Sequence, residues 1–366
     1  MRAIATRSNE SDEEEMPEPT KVESAAWGHT LAGEAVSLFT LSSAKATVKI
    51  ATYGARLTSV CVAGRDGTPA EVVLGSDLLT PYLTETAYLG AIVGRFGNRI
   101  DKGQFALDGE TYQVPLNDGP NCLHGGPVGF DRKVWSAVVV PNGVAMTYIS
   151  AAGEMGFPGT LRSTVTYTLE GSTLRVAYEA TTDATTVVNL TNHAYFNLAG
   201  EGGDFGAHTI QVNAERFTPV NATLIPTGEL RPVADTPLDL RTPKVVALGW
   251  DSADEQMVRA GGYDHNWILV EPAQPGALQV AAVLADAASG RTLTVSTTEP
   301  GIQFYSGNFL NASFPARGGG FYARRSGCCL ETQHFPDAPN HPDFPSTTLR
   351  SGETMRSVTV FAFGVA

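Results

Sequence analysis

Cysteine is scarce in this chain of 366 residues: only Cys61, Cys122, Cys328 and Cys329 occur. Four irregularly placed cysteines exclude a disulfide framework, and the adjacent pair Cys328 and Cys329 cannot reach ordinary bridge geometry. The absence of any CxxC pair removes the usual signal for a zinc site. Reduced, mostly buried thiols in a cytoplasmic protein are expected. No run of about eighteen apolar residues exists, so a spanning helix is not expected. Positive charge is also short. Lys and Arg number 25 against 38 Asp and Glu, and a formal charge of −13 gives no attraction to nucleic acid or anionic membranes. Helical periodicity is sparse, and no internal repeat stands out.

What is present fits a folded globule, with 42% hydrophobic and 17% charged residues. Residues 1–26 read as a separate acidic leader. They carry Glu10, Asp12, Glu13, Glu14, Glu15, Glu18 and Glu23, few large apolar side chains, and Pro17 and Pro19. Such a segment is expected to be disordered. Residues 27–366 show no break in composition and read as one domain. Short strands dominate it. Residues 46–50 alternate, 164–169 and 174–178 flank a turn at Glu170-Gly171-Ser172, and 278–284 and 292–296 flank another at Ala288-Ser289-Gly290. An alternating strand at 357–363 follows near the end. Short helical turns are expected only at 76–82 and 254–260. Closely spaced strands with turn signals predict an all-β, antiparallel β-sandwich.

Polar residues that suit a hydroxylated ligand gather in a few segments. Thr191-Asn192-His193-Ala194-Tyr195-Phe196-Asn197-Leu198 leaves an extended β-branched stretch and holds a histidine, whose pKa near neutrality suits proton transfer. Gly94-Arg95-Phe96-Gly97-Asn98-Arg99-Ile100 places two arginines around glycines, where guanidinium forks can meet oxygens. Asn121-Cys122-Leu123-His124-Gly125-Gly126-Pro127 sets His124 on a tight loop. Tyr263-Asp264-His265-Asn266-Trp267 joins an acid to aromatics, an arrangement that grips sugars. Adjacent strand residues point to opposite faces, which argues against Asp264 and His265 as a metal pair. Gln303 in the 299–309 segment can both donate and accept. Glu331 ends an apolar approach, where a partly desolvated carboxylate can act as a base. His334 and His341 sit near Asp337 and Asp343, but their spacing matches no zinc motif. No metal is expected.

Together these segments resemble the aldose 1-epimerase (galactose mutarotase) family, in order, over about residues 28–364. The resemblance implies a single large antiparallel β-sandwich and a cofactor-free enzyme that interconverts the α and β anomers of free aldoses. It implies Glu331 as general base and His193 as general acid, with His124 assisting at the reacting end of the sugar. Asn98, Arg99, Tyr195, Asp264 and Gln303 would hold sugar hydroxyls. Arg95 matches without a clear role. Gly97 stands where many relatives have alanine, and the acidic leader has no counterpart.

Ring opening of a hemiacetal needs a base at the C1 hydroxyl and an acid at the ring oxygen, and no redox cofactor. Two other readings stay open. An epimerase of hexose 6-phosphates would need a cationic pocket, for which Arg324 and Arg325 beside Gly318-Gly319-Gly320 are the candidates. A non-catalytic sugar-binding protein could share the fold. The preferred sugar and the oligomeric state are not fixed by the sequence.

Overall fold

The computed structural model describes residues 19–366 apart from 272, 273 and 275. Three antiparallel sheets carry the architecture. The first has five strands in chain order: Lys21–His29, Ala35–Ser42, Ala46–Ala51, Arg56–Ala63 and Pro69–Glu71. A nine-stranded sheet is built around Leu161–Glu170, Thr173–Thr182, Thr354–Val365 and Arg291–Thr297. A six-stranded sheet runs Tyr195–Phe196, Cys328–Gln333, Gly301–Tyr305, Asp264–Leu269, Ala214–Thr218 and Arg231–Pro232.

The alternation legible in the sequence is what packs. In Leu161–Glu170, buried Leu161, Ser163, Val165, Tyr167 and Leu169 alternate with more exposed neighbours. The turn after it is tight: Glu170 pairs with Thr173, and Gly171 takes φ +57°, a left-handed value that favours glycine. One hydrophobic cluster joins Leu41, Val48 and Ile50 of the first sheet to Val165, Tyr167 and Val176 of the second and Trp267, Phe304 and Leu330 of the third. Among the described residues helix is confined to short pieces. The α-helical one, Glu255–Ala260, is capped by the Asp254 side chain on the Gln256 N–H. The turn expected at 76–82 is a 3₁₀ turn at Thr80–Leu83. None of the described helices is long and apolar enough to cross a membrane.

One boundary differs from expectation. Residues 1–18 of the expected leader lie outside the described residues, but residues 21–26 belong to the Lys21–His29 strand, paired with Ala35–Ser42 from Lys21↔Ser42 onward. This strand sits at a sheet edge and is largely exposed. Backbone ladder bonds hold it, so low apolar content was no guide to its order.

Candidate active site

Strand register builds the floor of the site. Pairing aligns Tyr195, Cys329, Tyr305 and Asp264 in one row across the six-stranded sheet, and Glu331, Gln303 and Asn266 in the next. Paired residues share a face, and so do residues two apart along a strand. These seven side chains therefore leave the same face. The residues between them, Phe196, Leu330, Phe304 and Trp267, point the other way into the core. His265 follows that second parity: it is buried, and desolvation pushes its imidazole down to about 3. The expected separation of Asp264 from His265 is what the strand delivers.

The walls come from loops of the first half of the chain. Arg99 pairs with Leu123 in a two-residue ladder, which brings two distant segments together. Next to it, the His124 N–H donates to the Asn98 carbonyl at 2.9 Å, and the Asn98 N–H donates to His124 Nδ1 at 3.0 Å. Asn98, His124 and Tyr88 all have left-handed backbone, with φ of 62°, 51° and 56°. That conformation costs about 1–2 kcal/mol for a residue with a Cβ, so the surrounding contacts hold it in place. Gly125 is required behind His124, because a Cβ there would lie 2.0 Å from the Gly94 carbonyl oxygen. The result is a cavity of about 280 Å³, bordered by Tyr88, Asn98, Arg99, Asp118, His124, His193, Asp264, Tyr305, Phe309 and Glu331 among others.

At its base, His193 Nε2 lies 3.8 Å from Glu331 Oε2. That oxygen is buried and has no hydrogen-bond partner among the described residues. Burial, reinforced by the charge of Asp264, holds the Glu331 carboxyl well above the usual carboxylate range, against the pull of Arg99. Burial pushes the His193 imidazole down to about 4. Both shifts favour a carboxylic acid beside a neutral imidazole, one proton between two groups, over an ion pair. His124 is also held well below its ordinary value, by burial and then by His193 and Arg99. The two imidazole rings meet edge to face, with centroids 5.0 Å apart.

His124, His193 and Glu331 each offer a donor atom, all within 4.8 Å of one another, so the distances alone would suit a metal. The proton on His124 does not. Its Nδ1 accepts a backbone N–H, so a neutral ring carries its proton on Nε2, the nitrogen left for the cavity. That nitrogen is a donor and not a ligand. His334 and His341 pair instead with single carboxylates, Glu299 at 2.6 Å and Asp337 at 3.3 Å.

Six of the eight expected site residues border the cavity with a group free for chemistry or binding: Glu331, His193, His124, Asn98, Arg99 and Asp264. Arg99 is held by Asp118 at 2.7 Å and reaches Asp264 at 3.8 Å. Asn98 Oδ1 accepts the Arg99 N–H at 2.9 Å, which leaves the amide NH₂ for a ligand. The other two already donate within the protein. Tyr195 borders the cavity, but its hydroxyl donates to the Ala87 carbonyl at 3.0 Å and so anchors the loop that carries Tyr88. Gln303 is 2% exposed and stands behind Asp264, donating from Nε2 to Asp264 Oδ1 at 2.6 Å. Arg95 is structural: its guanidinium donates to the Pro158 and Gly159 carbonyls and to Ser150 Oγ. Tyr88 and Asp118 were missed, and nothing in their local sequence marks them. Tyr305 and Phe309 lie in a segment already singled out, where their aromatic character was the available signal.

Arg324 and Arg325 do not serve the cavity. Arg325 is bound to Asp251 at 2.8 Å and covers Trp250, while Arg324 donates to the Gly261 carbonyl. Among the described lining residues the carboxyl-bearing ones are Glu85, Asp118, Asp264 and Glu331, and the single guanidinium, Arg99, is already paired with Asp118. Such a lining offers a phosphate no unpaired cation among the described residues.

Residues 37–362 match the family described as aldose 1-epimerase. The chain is 46% identical to galactose mutarotase from Rattus norvegicus, covering 91% of this chain and 96% of the relative. It is 39% identical to aldose 1-epimerase from Escherichia coli strain K12, covering 90% and 96%. The crystal structure of galactose 1-epimerase from Lactobacillus acidophilus NCFM superposes with a TM-score of 0.83 at 28% identity, over 95% of this chain and 99% of that one.

Proposed function

The chain belongs to the aldose 1-epimerase family, and we propose that it interconverts the α and β anomers of free hexoses such as galactose and glucose. One observation carries the residue assignment: His193 Nε2 and Glu331 Oε2, unpartnered among the described residues, face each other at 3.8 Å at the base of a cavity edged by hydrogen-bonding groups.

Glu331 takes the proton of the C1 hydroxyl while His193 gives a proton to the ring oxygen. The C1–O5 bond breaks and the C1 hydroxyl becomes an aldehyde. Rotation about C1–C2 turns the other carbonyl face toward the C5 hydroxyl. On closure the roles reverse, so the enzyme ends with the protons it started with. Each transfer contributes about 10²–10⁴-fold. The pair enters this cycle with its proton on the imidazole and the carboxylate bare. A sugar favours that form, because its C1 hydroxyl donates to the carboxylate and its ring oxygen accepts from the imidazolium. His124 Nε2–H, Asn98, Arg99 and Asp264 hold the other oxygens, which keeps the open aldehyde in place until it recloses.

Polarimetry on freshly dissolved α-galactose and α-glucose tests this. A rate above the spontaneous one, strongly reduced in Glu331→Gln, is the expected result. Equal rates with and without enzyme for both sugars would defeat it. The corresponding 6-phosphates are expected to react poorly, given the acidic lining.

A further inference from the structure

We propose that Cys329 is a positioning residue whose sulfur accepts a hydrogen bond from His193 Nδ1–H, so that Nε2 stays the nitrogen exchanging the catalytic proton. This rests on the function proposed above and adds a residue to its machinery. Cys329 and Glu331 are two apart on the Cys328–Gln333 strand and leave the same face. Cys329 Sγ lies 3.4 Å from His193 Nδ1, and Glu331 Oε2 lies 3.8 Å from His193 Nε2. One strand therefore addresses both ring nitrogens.

The chemistry fixes the direction of that contact. An imidazolium that acts at Nε2 also carries a proton on Nδ1. The neutral ring left after transfer keeps the Nδ1 proton, and its bare Nε2 is what recovers a proton on ring closure. Nδ1 is thus a donor throughout the cycle and needs a buried acceptor. Cys329 Sγ is the side-chain atom placed to be one. It is fully buried, and burial together with the Glu331 charge keeps it a neutral thiol. A carboxylate at that position would add a third acid beside Glu331 and Asp264. The rings beside His193 are those of His124, Tyr88, Tyr195 and Tyr305, none of them carrying a negative charge near neutral pH, and the Arg56 guanidinium adds a positive one.

The tautomer can be read without activity. In ¹⁵N-labelled protein at neutral pH, the His193 resonances should show Nδ1 protonated and Nε2 bare. Cys329→Ala should mix the tautomers and lower kcat about five- to tenfold with little change in KM, the size of one lost hydrogen bond. It should also move the acidic limb of the pH profile downward, since the imidazolium loses an acceptor. Cys329→Ser, whose hydroxyl can accept from the same nitrogen, should recover most of kcat. A wild-type His193 protonated on Nε2 would overturn the proposal. So would a folded Cys329→Ala protein with wild-type kcat and unchanged limbs. A wild-type protein without mutarotase activity would instead remove the proposed function, while the ¹⁵N spectrum would still report the tautomer.

Discussion

The backbone N–H of Asn98 donates to Nδ1 of His124 at 3.0 Å, and this single contact decides which nitrogen of His124 faces the cavity as a donor. A ring fixed this way gives a hydrogen bond but cannot coordinate a cation through Nε2 without losing its last proton. Dialysis against a strong chelator is therefore expected to leave kcat and KM unchanged. Stoichiometric metal lost together with activity would refute this tautomer argument.

Glu331→Gln and His193→Asn should each lower kcat by at least about 100-fold while leaving sugar binding within a few-fold, because each acts in the transition state. Their losses should be sub-additive, since the two groups handle one proton balance. The pH profile of kcat/KM should be bell-shaped. Its acidic limb reports a second proton entering the pair, and its basic limb reports loss of the only one. Stopped-flow polarimetry with calorimetric sugar binding separates the terms. Near-wild-type kcat in folded, sugar-binding Glu331→Gln would remove Glu331 as the base.

Glu331 also makes stability depend on pH with a definite sign. Burial raises its carboxyl above the ordinary value of 4.5. Above that pH the unfolded chain has lost the proton while the folded chain keeps it, so stability falls as pH rises through the window up to the folded value. Glu331→Gln removes this term. Its Tm relative to wild type should climb between pH 4.5 and 7 in a thermal melt. A Tm difference flat with pH would mean that the carboxyl ionises as easily folded as unfolded.

Asp264 and Gln303 should behave as one unit. Asp264→Ala removes a charged acceptor, a loss of about 1.5–3 kcal/mol that appears as a roughly ten- to hundredfold rise in KM. Gln303→Leu should raise KM less, because Gln303 acts by holding Asp264 Oδ1. Added to Asp264→Ala it should do little more. Additive effects would give Gln303 its own contact with the sugar.

The two parts of the N-terminal segment should separate on truncation. Deleting residues 1–18 is expected to leave Tm and mutarotation rate unchanged, on acidic composition alone. Deleting residues 1–29 removes the Lys21–His29 strand and leaves Ala35–Ser42 as an unpaired edge. Tm should fall by several degrees, with aggregation on heating. Identical melting curves for the two truncations would make that strand dispensable.

Strand periodicity carried the fold. Alternation in 161–182 and 354–365 dictates which side chains enter the core, and period two is a local property of the chain. The same rule makes Asp264 and His265 part company and puts Glu331 on the opposite face from Leu330. Residue chemistry, read in its local motifs, also marks six polar residues that come to border one cavity. Register and loop contacts lie beyond local pattern. Tyr195–Phe196 reaches its place beside Cys328–Gln333 by pairing across more than a hundred residues, and that pairing brings Cys329 to His193. Tyr195 and Gln303 have hydroxyl and amide groups fit for a sugar, but the donor each would offer is given to a neighbour in space, the Ala87 carbonyl and the Asp264 carboxylate. The edge strand at residues 21–29 is ordered by hydrogen bonds to a partner, which composition does not record. Local pattern determined which face each side chain takes. Only the tertiary structure decided which polar groups remain free for the reaction, because a hydrogen bond spent inside the protein is not available to a ligand.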